Sequence, residues 1–295
     1  MTQTPTLHLI DASYFIFRAY YAYPEPMVDP AGRPVNALFG FARFLTEYLE
    51  RQKPVHLVVA FDAGLDENFR NEIYPAYKAN REPPPEDLKE QFTRCVELCQ
   101  PLGIKALSMG GFEADDIIGT LATRFRKHGV RNCIVTRDKD LSQLIRDSDC
   151  FYDYADDRRY AYGDIAARFG VVPERMADYL ALTGDSVDNI PGVPGVGPKT
   201  ASALLHKYAS LEELFAALDR VHELDIRGAK TLAAKLKDHH KTAFLARELT
   251  RILCEVPIHC DWEDTTRVKP DLAQLESFYD DAGFGVTLRS RAARL

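Results

Sequence analysis

The sequence lacks the features that mark membrane-spanning and exported proteins. No stretch of about 18 consecutive apolar residues is present, which a helix would need to cross a bilayer. The N-terminus has neither the basic segment nor the apolar segment of a signal peptide, and the apolar run over residues 7–10 is too short for one. We therefore expect a cytosolic protein that does not associate with membranes.

Paired cysteines are also missing. The six cysteines are scattered along the chain, none forms a CxxC motif, and no Cys/His spacing suits zinc. Cys95 and Cys99 lie one helical turn apart and are expected to be reduced thiols of the core. The sequence therefore predicts neither a disulfide framework nor a structural zinc site.

An excess of basic residues, which is typical of nucleic-acid-binding proteins, is absent as well. The chain has 37 basic and 44 acidic residues, and its formal net charge is −7. Nine of these acids fall in the short motifs described below, and the remaining 35 are fewer than the 37 basic residues. Because divalent cations can neutralise acids that are concentrated at one point, the net charge does not exclude a phosphate-rich partner.

Three short apolar segments predict buried strands, and an aspartate follows each of them. The segments cover residues 7–10, 55–61 and 133–136, and the aspartates are Asp11, Asp62, and the pair Asp138 and Asp140. Helical patterns lie between the strands, at residues 36–51, 86–101 and 113–128. This alternation predicts an α/β fold with a parallel sheet that helices cover on both faces. Ligands of such sheets bind at the carboxyl ends of the strands, so we expect these aspartates to converge.

Two further acidic motifs accompany the strand-end aspartates. Glu113, Asp115 and Asp116 open a predicted helix, and Asp185 and Asp188 follow Gly184. Each motif alone has an ordinary explanation, such as acids in a first helical turn or a solvated turn. Collecting all nine acids at one edge is strongly unfavourable without cations. Since Mg²⁺ and Mn²⁺ prefer oxygen ligands, the sequence favours a site for two such ions, which can hydrolyse phosphodiesters.

A glycine-rich segment over residues 190–201 predicts a contact with phosphate. It is not a P-loop, because Pro198 separates the last glycine from Lys199. A helix-hairpin-helix is the better interpretation: glycines allow the backbone to approach a phosphate, and the N-terminus of the next helix offers N–H donors. Lys199 would add positive charge, and such a contact is independent of DNA sequence. A purely structural hairpin between helices is the alternative.

A third motif combines cations with an aromatic residue. Lys78 and Arg81 are three positions apart, next to Tyr77, and are expected to share one face of a helix. Aromatic residues among cations suit a single strand or a frayed DNA end. The alternative is an exposed amphipathic helix without a ligand.

These motifs resemble the 5′-nuclease and flap-endonuclease family, and especially the 5′-nuclease domain of bacterial DNA polymerase I. The similar stretches follow the order of the family, at residues 10–22, 58–63, 69–88, 110–122, 135–144 and 181–201. The resemblance implies a PIN-like nuclease core over residues 1–172, with a helical arch near residues 70–90. A mostly helical helix-hairpin-helix region is implied over residues 173–295. The implied activity is hydrolysis of DNA at 5′ flaps, nicks and frayed 5′ ends, RNA-primed ends included, by a monomer at the bacterial nucleoid.

The resemblance also implies roles for individual residues. The nine acids would hold two Mg²⁺ or Mn²⁺ ions: Asp11, Asp62, Glu113, Asp115, Asp116, Asp138, Asp140, Asp185 and Asp188. Lys78, Arg81 and Tyr77 would act at the scissile phosphate. The implied DNA contacts are Arg18, Arg70, Gly192, Gly195, Gly197, Lys199 and Thr200. The carbonyls of Val193 and Val196 would hold K⁺ against a DNA phosphate.

Some positions depart from the family pattern, and two other functions compete with this one. Arg137 replaces a residue that is usually small, and residues 63–68 look longer and more acidic than usual, which bears on rate and metal affinity. The chain ends at Leu295 without a polymerase motif, as a stand-alone enzyme or a fragment would. A catalytically silent binder of branched DNA would have lost metal acids, and a PIN-type ribonuclease would lack the hairpin. This sequence retains both features.

Overall fold

The central sheet has the order and direction expected of an α/β protein. In the computed structural model, which describes residues 4–22, 27–63, 68–226 and 228–295, six strands form one sheet. They are β1 (Thr6–Asp11), β2 (His56–Ala60), β3 (Lys105–Leu107), β4 (Arg131–Val135), β5 (Cys150–Asp153) and β6 (Arg158–Tyr160). The spatial order is β3-β2-β1-β4-β5-β6, and every neighbouring pair is parallel except β5 and β6. The predicted parallel sheet is confirmed.

Helices fill most of the remaining chain. The first six are α1 (Ala12–Ala22), α2 (Asn36–Gln52), α3 (Phe69–Ile73), α4 (Glu86–Cys99), α5 (Ala114–Arg126) and α6 (Tyr162–Phe169). The rest are α7 (Met176–Thr183), α8 (Pro198–Lys207), α9 (Leu211–Ala216), α10 (Ala229–Asp238), α11 (His240–Thr250), α12 (Leu272–Asp281) and α13 (Val286–Ala292). Short 3₁₀ helices cover Lys139–Leu144, Pro173–Arg175, Leu218–Glu223 and Glu263–Thr265. None of the described helices is long and apolar enough to cross a membrane.

The sheet is buried on both faces because successive strand residues alternate between two apolar clusters. Leu7 and Leu9 of β1 pack in the same cluster as Ile117 of α5. Ile10, on the opposite face of that strand, packs in the cluster that contains Phe41 of α2. Side chains in a strand alternate between faces, so an unbroken apolar strand requires cover on both sides. The first cluster continues into α7, α8 and α11, and the helical region therefore shares a core with the sheet.

A buried ion pair joins the α/β core to the end of α11 and the chain that follows it. Arg70 of α3 is 2% exposed and donates two hydrogen bonds of 2.8 Å to the carboxylate of Asp116, which is fully buried. Arg70 also donates to the carbonyls of Leu249 and Arg251. The backbone N–H of Leu253 donates to Asp116 at 2.9 Å. One arginine and one aspartate thus connect α3, α5 and the end of α11.

Both members of this pair were predicted to be site residues, Arg70 as a DNA contact and Asp116 as a metal ligand. In this structure the guanidinium of Arg70 is buried and donates to protein acceptors. The carboxylate of Asp116 accepts hydrogen bonds from Arg70, from the backbone N–H of Leu253 and from the backbone N–H of Glu113. The sequence does not reveal this pairing, and the contacts of Arg70 with DNA and of Asp116 with metal stay predictions.

Removing one member of the pair should destabilise the fold. Arg70→Met leaves the Asp116 carboxylate buried without its cation, which typically costs about 3–5 kcal/mol. We expect that loss in the free energy of unfolding, measured by urea denaturation. Arg220→Met is the control, because Arg220 and Glu223 form an exposed pair at 3.7 Å and such pairs contribute about 1 kcal/mol or less. Equal losses in the two variants would show that the buried pair does not stabilise the fold.

Candidate metal centre

The ends of β1 and β2 bring the first two acids together. Asp11 is the last residue of β1, is 5% exposed, and accepts a 2.9 Å hydrogen bond from the hydroxyl of Thr136. Asp62, beyond the end of β2, accepts from the backbone N–H of Ala114 at 2.8 Å and from the hydroxyl of Ser13 at 2.5 Å. Thr136, after β4, thus holds Asp11, and the first turns of α1 and α5 hold Asp62, so that both carboxylates lie at the same edge, as predicted.

The start of α5 and the loop after β4 supply further acids. Glu113 is the N-cap of α5, and its backbone N–H donates to the carboxylate of Asp116 at 3.2 Å, which fixes the start of the helix. Asp115 lies close enough to Asp138, Asp11 and Glu113 to feel their charges. Asp138 accepts a hydrogen bond from the backbone N–H of Asp140 at 2.9 Å, which caps the following 3₁₀ helix.

The last two acids come from the loop between α7 and the glycine-rich segment. Asp185 and Ile190 exchange two backbone hydrogen bonds of 2.9 and 2.8 Å and close this loop. Asn189 adopts a left-handed conformation with φ of 55°. The charges of Asp185 and Asp188 act on Asp140, so this loop reaches the same edge. We call the converging set the acidic edge: Asp11, Asp62, Glu113, Asp115, Asp138, Asp140, Asp185 and Asp188.

Crowding at the acidic edge raises several pKa values. Burial, followed by the charges of Asp62 and Asp138, raises the pKa of Asp11 to about 7. Burial and the neighbouring Asp138 raise the pKa of Asp140 to about 8. The pKa of Asp115 lies well above its usual range for the same two reasons, burial and nearby carboxylates. A divalent cation stabilises the ionised form of such crowded carboxyl groups, because its positive charge offsets the repulsion that opposes their ionisation.

Two lysines contact pairs of these acids. The ammonium group of Lys78 contacts Glu113 and lies 3.8 Å from Asp188. Lys139 contacts Asp185 and lies 3.4 Å from Asp140. Although burial would raise the pKa of Glu113, Lys78 and Arg70 outweigh it and lower that pKa. The sequence analysis did not single out Lys139, although its position between Asp138 and Asp140 was a signal.

The geometry corrects the prediction for residues 74–81, which we call the cation segment. These residues form consecutive turns rather than a helix, and Lys78 has a positive φ of 56°. Pro75 and Pro83 lack the backbone N–H that helix bonding needs. The segment is instead tied to the loop of the last two acids, since the backbone N–H of Lys78 donates to the carbonyl of Asp188 at 2.9 Å. Lys78 and Arg81 therefore converge through turns and not through helical spacing.

Tyr77 contacts the acids of the edge. It was predicted to act at the scissile phosphate with Lys78 and Arg81, which stays a prediction, and its side chain is only 4% exposed. Its hydroxyl lies 3.2 Å from both carboxylate oxygens of Glu113 and 3.3 Å from Asp188. Arg81 contacts the other oxygen of Asp188. Tyr77 thus positions two carboxylates, whereas Arg81 remains half-exposed next to them.

A cavity of about 610 Å³ opens beside the acidic edge. Asp62, Glu113, Lys78 and Arg81 lie in its wall, so acids and cations face the same space. The wall also contains aromatic side chains that the sequence analysis missed: Phe17, Tyr21 and Phe112. Their signal was weak because aromatic residues in apolar helices such as α1 are ordinarily part of the core.

The glycine hairpin, residues 191–197, forms a tight turn that precedes α8. The backbone N–H of Val196 donates to the carbonyl of Val193 at 2.9 Å, and Gly195 has a φ of 83° that favours glycine. Gly192 packs so closely that an added Cβ would lie 2.4 Å from the backbone of Thr183. A Cβ on Gly197 would meet no atom within 4 Å, so the backbone there is open.

Two exposed lysines lie beside this hairpin. Lys199 is exposed in the first turn of α8, and Thr200 follows it half-buried. The ammonium of Lys235, from α10, lies 3.0 Å from the position that a Cβ on Gly195 would take. Lys235 was not identified from sequence, because α10 is distant from the hairpin along the chain.

Arg18 is exposed on α1, and its predicted contact with DNA stays a prediction.

In the described part of the chain, one group of three potential metal ligands has its ligand atoms within 4.8 Å of one another: the exposed His259, Asp261 and Asp264. The acids of the acidic edge are spaced more widely, with the lysines in contact with them.

Arg137, which departs from the family pattern, pairs with Asp153 and Asp156 at 3.5 and 3.1 Å instead of with the acidic edge. The other departure from the family pattern covers residues 63–68, of which residues 64–67 lie outside the described residues.

Comparison with known proteins places this arrangement in context. The family model "5′-3′ exonuclease, N-terminal resolvase-like domain" matches residues 6–170, and "5′-3′ exonuclease, C-terminal SAM fold" matches residues 171–273. A 5′-3′ exonuclease of Aquifex aeolicus is 36% identical and covers 92% of this chain and 90% of its own. DNA polymerase I of Rhizobium leguminosarum is 40% identical over 86% of this chain, which spans only 25% of that polymerase.

Solved structures share the fold. The 5′-exonuclease of bacteriophage T5 with bound zinc has a TM-score of 0.69 at 20% identity, covering 84% of this chain and 90% of its own. The catalytic core of Rad2 in complex with DNA has a TM-score of 0.64 at 17% identity, covering 99% and 91%. Together with family models that match most of the sequence, and relatives above 30% identity over nearly its whole length, these comparisons show that the chain belongs to the 5′-3′ exonuclease family.

Proposed function

We propose that this protein is a structure-specific 5′-3′ exonuclease and flap endonuclease that hydrolyses DNA at 5′ ends, flaps and nicks. The observation that supports this most strongly is the convergence of eight carboxylates from five segments at one sheet edge, beside cations that line the same cavity. Relatives that are named 5′-3′ exonucleases over nearly their whole length support the same activity. We place its action on chromosomal DNA in the bacterial cytosol, as a monomer.

The acidic edge fits divalent metal ions, because every donor is a carboxylate and because burial and mutual repulsion raise the pKa values of Asp11, Asp115 and Asp140. We assign one Mg²⁺ or Mn²⁺ ion to Asp11, Asp62, Glu113 and Asp115. A second ion is assigned to Asp138, Asp140, Asp185 and Asp188. When bound, such ions activate a water molecule and neutralise charge on a phosphate. A solved structure of the same fold, the 5′-exonuclease of bacteriophage T5, contains bound zinc, which supports the use of divalent ions.

The cation segment acts on the substrate phosphate. Lys78 and Arg81 contact acids of the metal centre and also face the cavity, so a phosphate that enters the cavity meets both. Their charges oppose the negative charge that builds on the phosphate during cleavage. Tyr77 holds Glu113 and Asp188 in place through its hydroxyl and is a positioning residue.

The glycine hairpin holds the uncleaved duplex through its phosphates. Gly195, Gly197 and the N-terminus of α8 offer backbone to a phosphate, and Lys199 and Lys235 supply charge. Carbonyl oxygens have two lone pairs, so the bond from Val196 leaves the carbonyl of Val193 able to coordinate K⁺. We assign K⁺ to the carbonyls of Val193 and Val196. The helical region over residues 173–295 thereby binds duplex, while the core over residues 1–172 cleaves.

The proposed reaction is tested with a 5′-labelled flap, a nicked duplex and single-stranded DNA. We expect cleavage of the flap in Mg²⁺ and none in excess chelator. Asp115→Asn should reduce the rate by more than about 10²-fold, because even partners of metal ligands contribute 10–100-fold. Asp261→Asn, the same change within the exposed group of possible ligands, should leave the rate unchanged. Cleavage that persists in chelator, or preference for RNA of the same shape, would contradict the proposal.

The cation segment is tested by separating chemistry from binding. Lys78→Ala and Arg81→Ala should each lower the single-turnover cleavage rate by about 10²–10³. Binding to a flap in Ca²⁺ should change little, because these cations act on charge that appears only during the reaction. Equal losses in rate and affinity would mean that Lys78 and Arg81 only hold DNA. Unchanged values in both measurements would make them charges of a solvated surface.

The hairpin is tested by the salt dependence of duplex binding. Lys199→Ala and Lys235→Ala should each weaken binding similarly for all DNA sequences and reduce the slope of log K against log salt by about one unit. Lys237→Ala is the control: it removes the same charge from α10, but two residues rotate a helix by about 200°, which points this side chain away from the hairpin. A loss of affinity that depends on DNA sequence, or an equal effect of Lys237→Ala, would contradict the assignment.

A further inference from the structure

Two cysteines face each other across neighbouring strands. Cys133 of β4 and Cys150 of β5 are register partners in a parallel pair, and both are free thiols. Adjacent strands lie about 4.8 Å apart, and side chains of register partners project from the same face of the sheet. Disulfides join Cα atoms about 4.4–6.8 Å apart. The backbone therefore already places these two residues at bonding distance.

The two thiols differ in environment in a way that assigns them different roles. Cys133 is 2% exposed, whereas Cys150 is half-buried at the first position of β5. A hydrogen bond from Cys133 and the nearby guanidinium of Arg159 lower the pKa of Cys150 to about 7. The same hydrogen bond, together with burial, raises the pKa of Cys133. Cys150 is thus the more accessible of the two thiols and the one that ionises more readily.

The other thiols of the chain lack this combination. Cys95 and Cys99 also lie close together, but both are fully buried in α4, and the thiol of Cys99 is directed to the carbonyl of Cys95. Burial raises the pKa values of both. Cys254 and Cys260 have raised pKa values for the same reason. Only the pair on β4 and β5 joins proximity, access and a neighbouring cation.

We propose that Cys150 and Cys133 form a reversible oxidation site for peroxides. The Cys150 thiolate attacks one oxygen of a hydroperoxide, the O–O bond breaks, and the product is a sulfenic acid plus water or an alcohol. The thiol of Cys133 then attacks the sulfenic sulfur, forms the S–S bond and releases water. One peroxide is reduced by two electrons while two thiols become one disulfide. A dithiol reductant reverses the change by thiol–disulfide exchange.

The site is separate from the metal centre. Cys150 begins β5, at the end of the sheet opposite to the carboxyl ends where the acids converge. The new bond would join two strands that are already paired. We therefore expect oxidation to raise the melting temperature while nuclease activity remains. The inference does not depend on the proposed function.

The rate advantage of Cys150 can be estimated. With a pKa near 7, about half of the thiol is ionised at pH 7, compared with a few per cent for an ordinary cysteine. The lower pKa also reduces nucleophilicity, with a Brønsted coefficient of about 0.4–0.5. The net expectation is oxidation roughly three- to fivefold faster than that of an ordinary exposed cysteine. Arg159→Gln should remove part of this advantage.

The experiment treats the reduced full chain with hydrogen peroxide, blocks remaining thiols and maps the products by mass spectrometry. We expect one disulfide between Cys133 and Cys150, with the loss of two hydrogen atoms, and recovery of both thiols in dithiothreitol. Cys133→Ser should stop at a sulfenic acid on Cys150, trapped by a sulfenate-specific reagent. Cys150→Ser should prevent both products. Cys95→Ser, at the buried pair, should oxidise like the parent protein.

Several results would overturn the inference. Both thiols could remain fully alkylatable after peroxide treatment, or Cys150→Ser could consume peroxide at the parent rate. A disulfide formed with equal ease by Cys95 and Cys99 would show that the proximity of two thiols alone determines oxidation, without a contribution from access or from Arg159. Circular dichroism of each serine variant, before treatment, separates loss of the thiol from loss of the fold, and the Arg159→Gln variant tests the mechanism with both thiols intact.

Discussion

The structure depends on one electrostatic constraint, the repulsion among carboxylates at the carboxyl edge of the sheet. Like charges that lie close together near a protein surface repel one another, and the acidic edge contains eight carboxyl groups that act on one another through their charges. The protein offsets part of this repulsion with its own cations, since Lys78 and Lys139 each contact two acids. Burial, together with the remaining repulsion from neighbouring carboxylates, raises the pKa values of Asp11 and Asp140. Divalent ions fit such a site, because they offset this repulsion.

The same constraint explains how distant segments are tied together. The loop of Asp185 and Asp188 must reach the sheet edge, and it does so through hydrogen bonds to the cation segment, including one from Asn189 to the carbonyl of Ala76 at 2.7 Å. On the other side of the centre, Arg70 neutralises Asp116 and fixes the start of α5. The acidic edge, the cation segment and the glycine hairpin therefore belong to one connected framework.

The sequence predicted the features that depend on local pattern. The strands with aspartates at their ends, the helices over residues 36–51 and 86–101, and the start of α4 after Pro85 all have a strong apolar period or a clear start signal. The short strands β3, β5 and β6 were missed, because three or four residues are too few to show a period. The pairing of Asp116 with Arg70 was also not predicted: adjacent acids look alike in sequence, and this contact depends on the tertiary structure. The turns of the cation segment likewise depend on a loop more than a hundred residues away.

The proposed role of the acidic edge is to hold the divalent ions used in DNA hydrolysis. Crystals soaked in Mn²⁺ test it most directly, because anomalous diffraction locates this ion without assumptions about mechanism. We predict peaks among the acids of the edge, with Asp115 and Asp140 each within coordination distance of an ion. Manganese bound only at the exposed group of His259, Asp261 and Asp264, with the edge occupied by its lysines alone, would contradict the account.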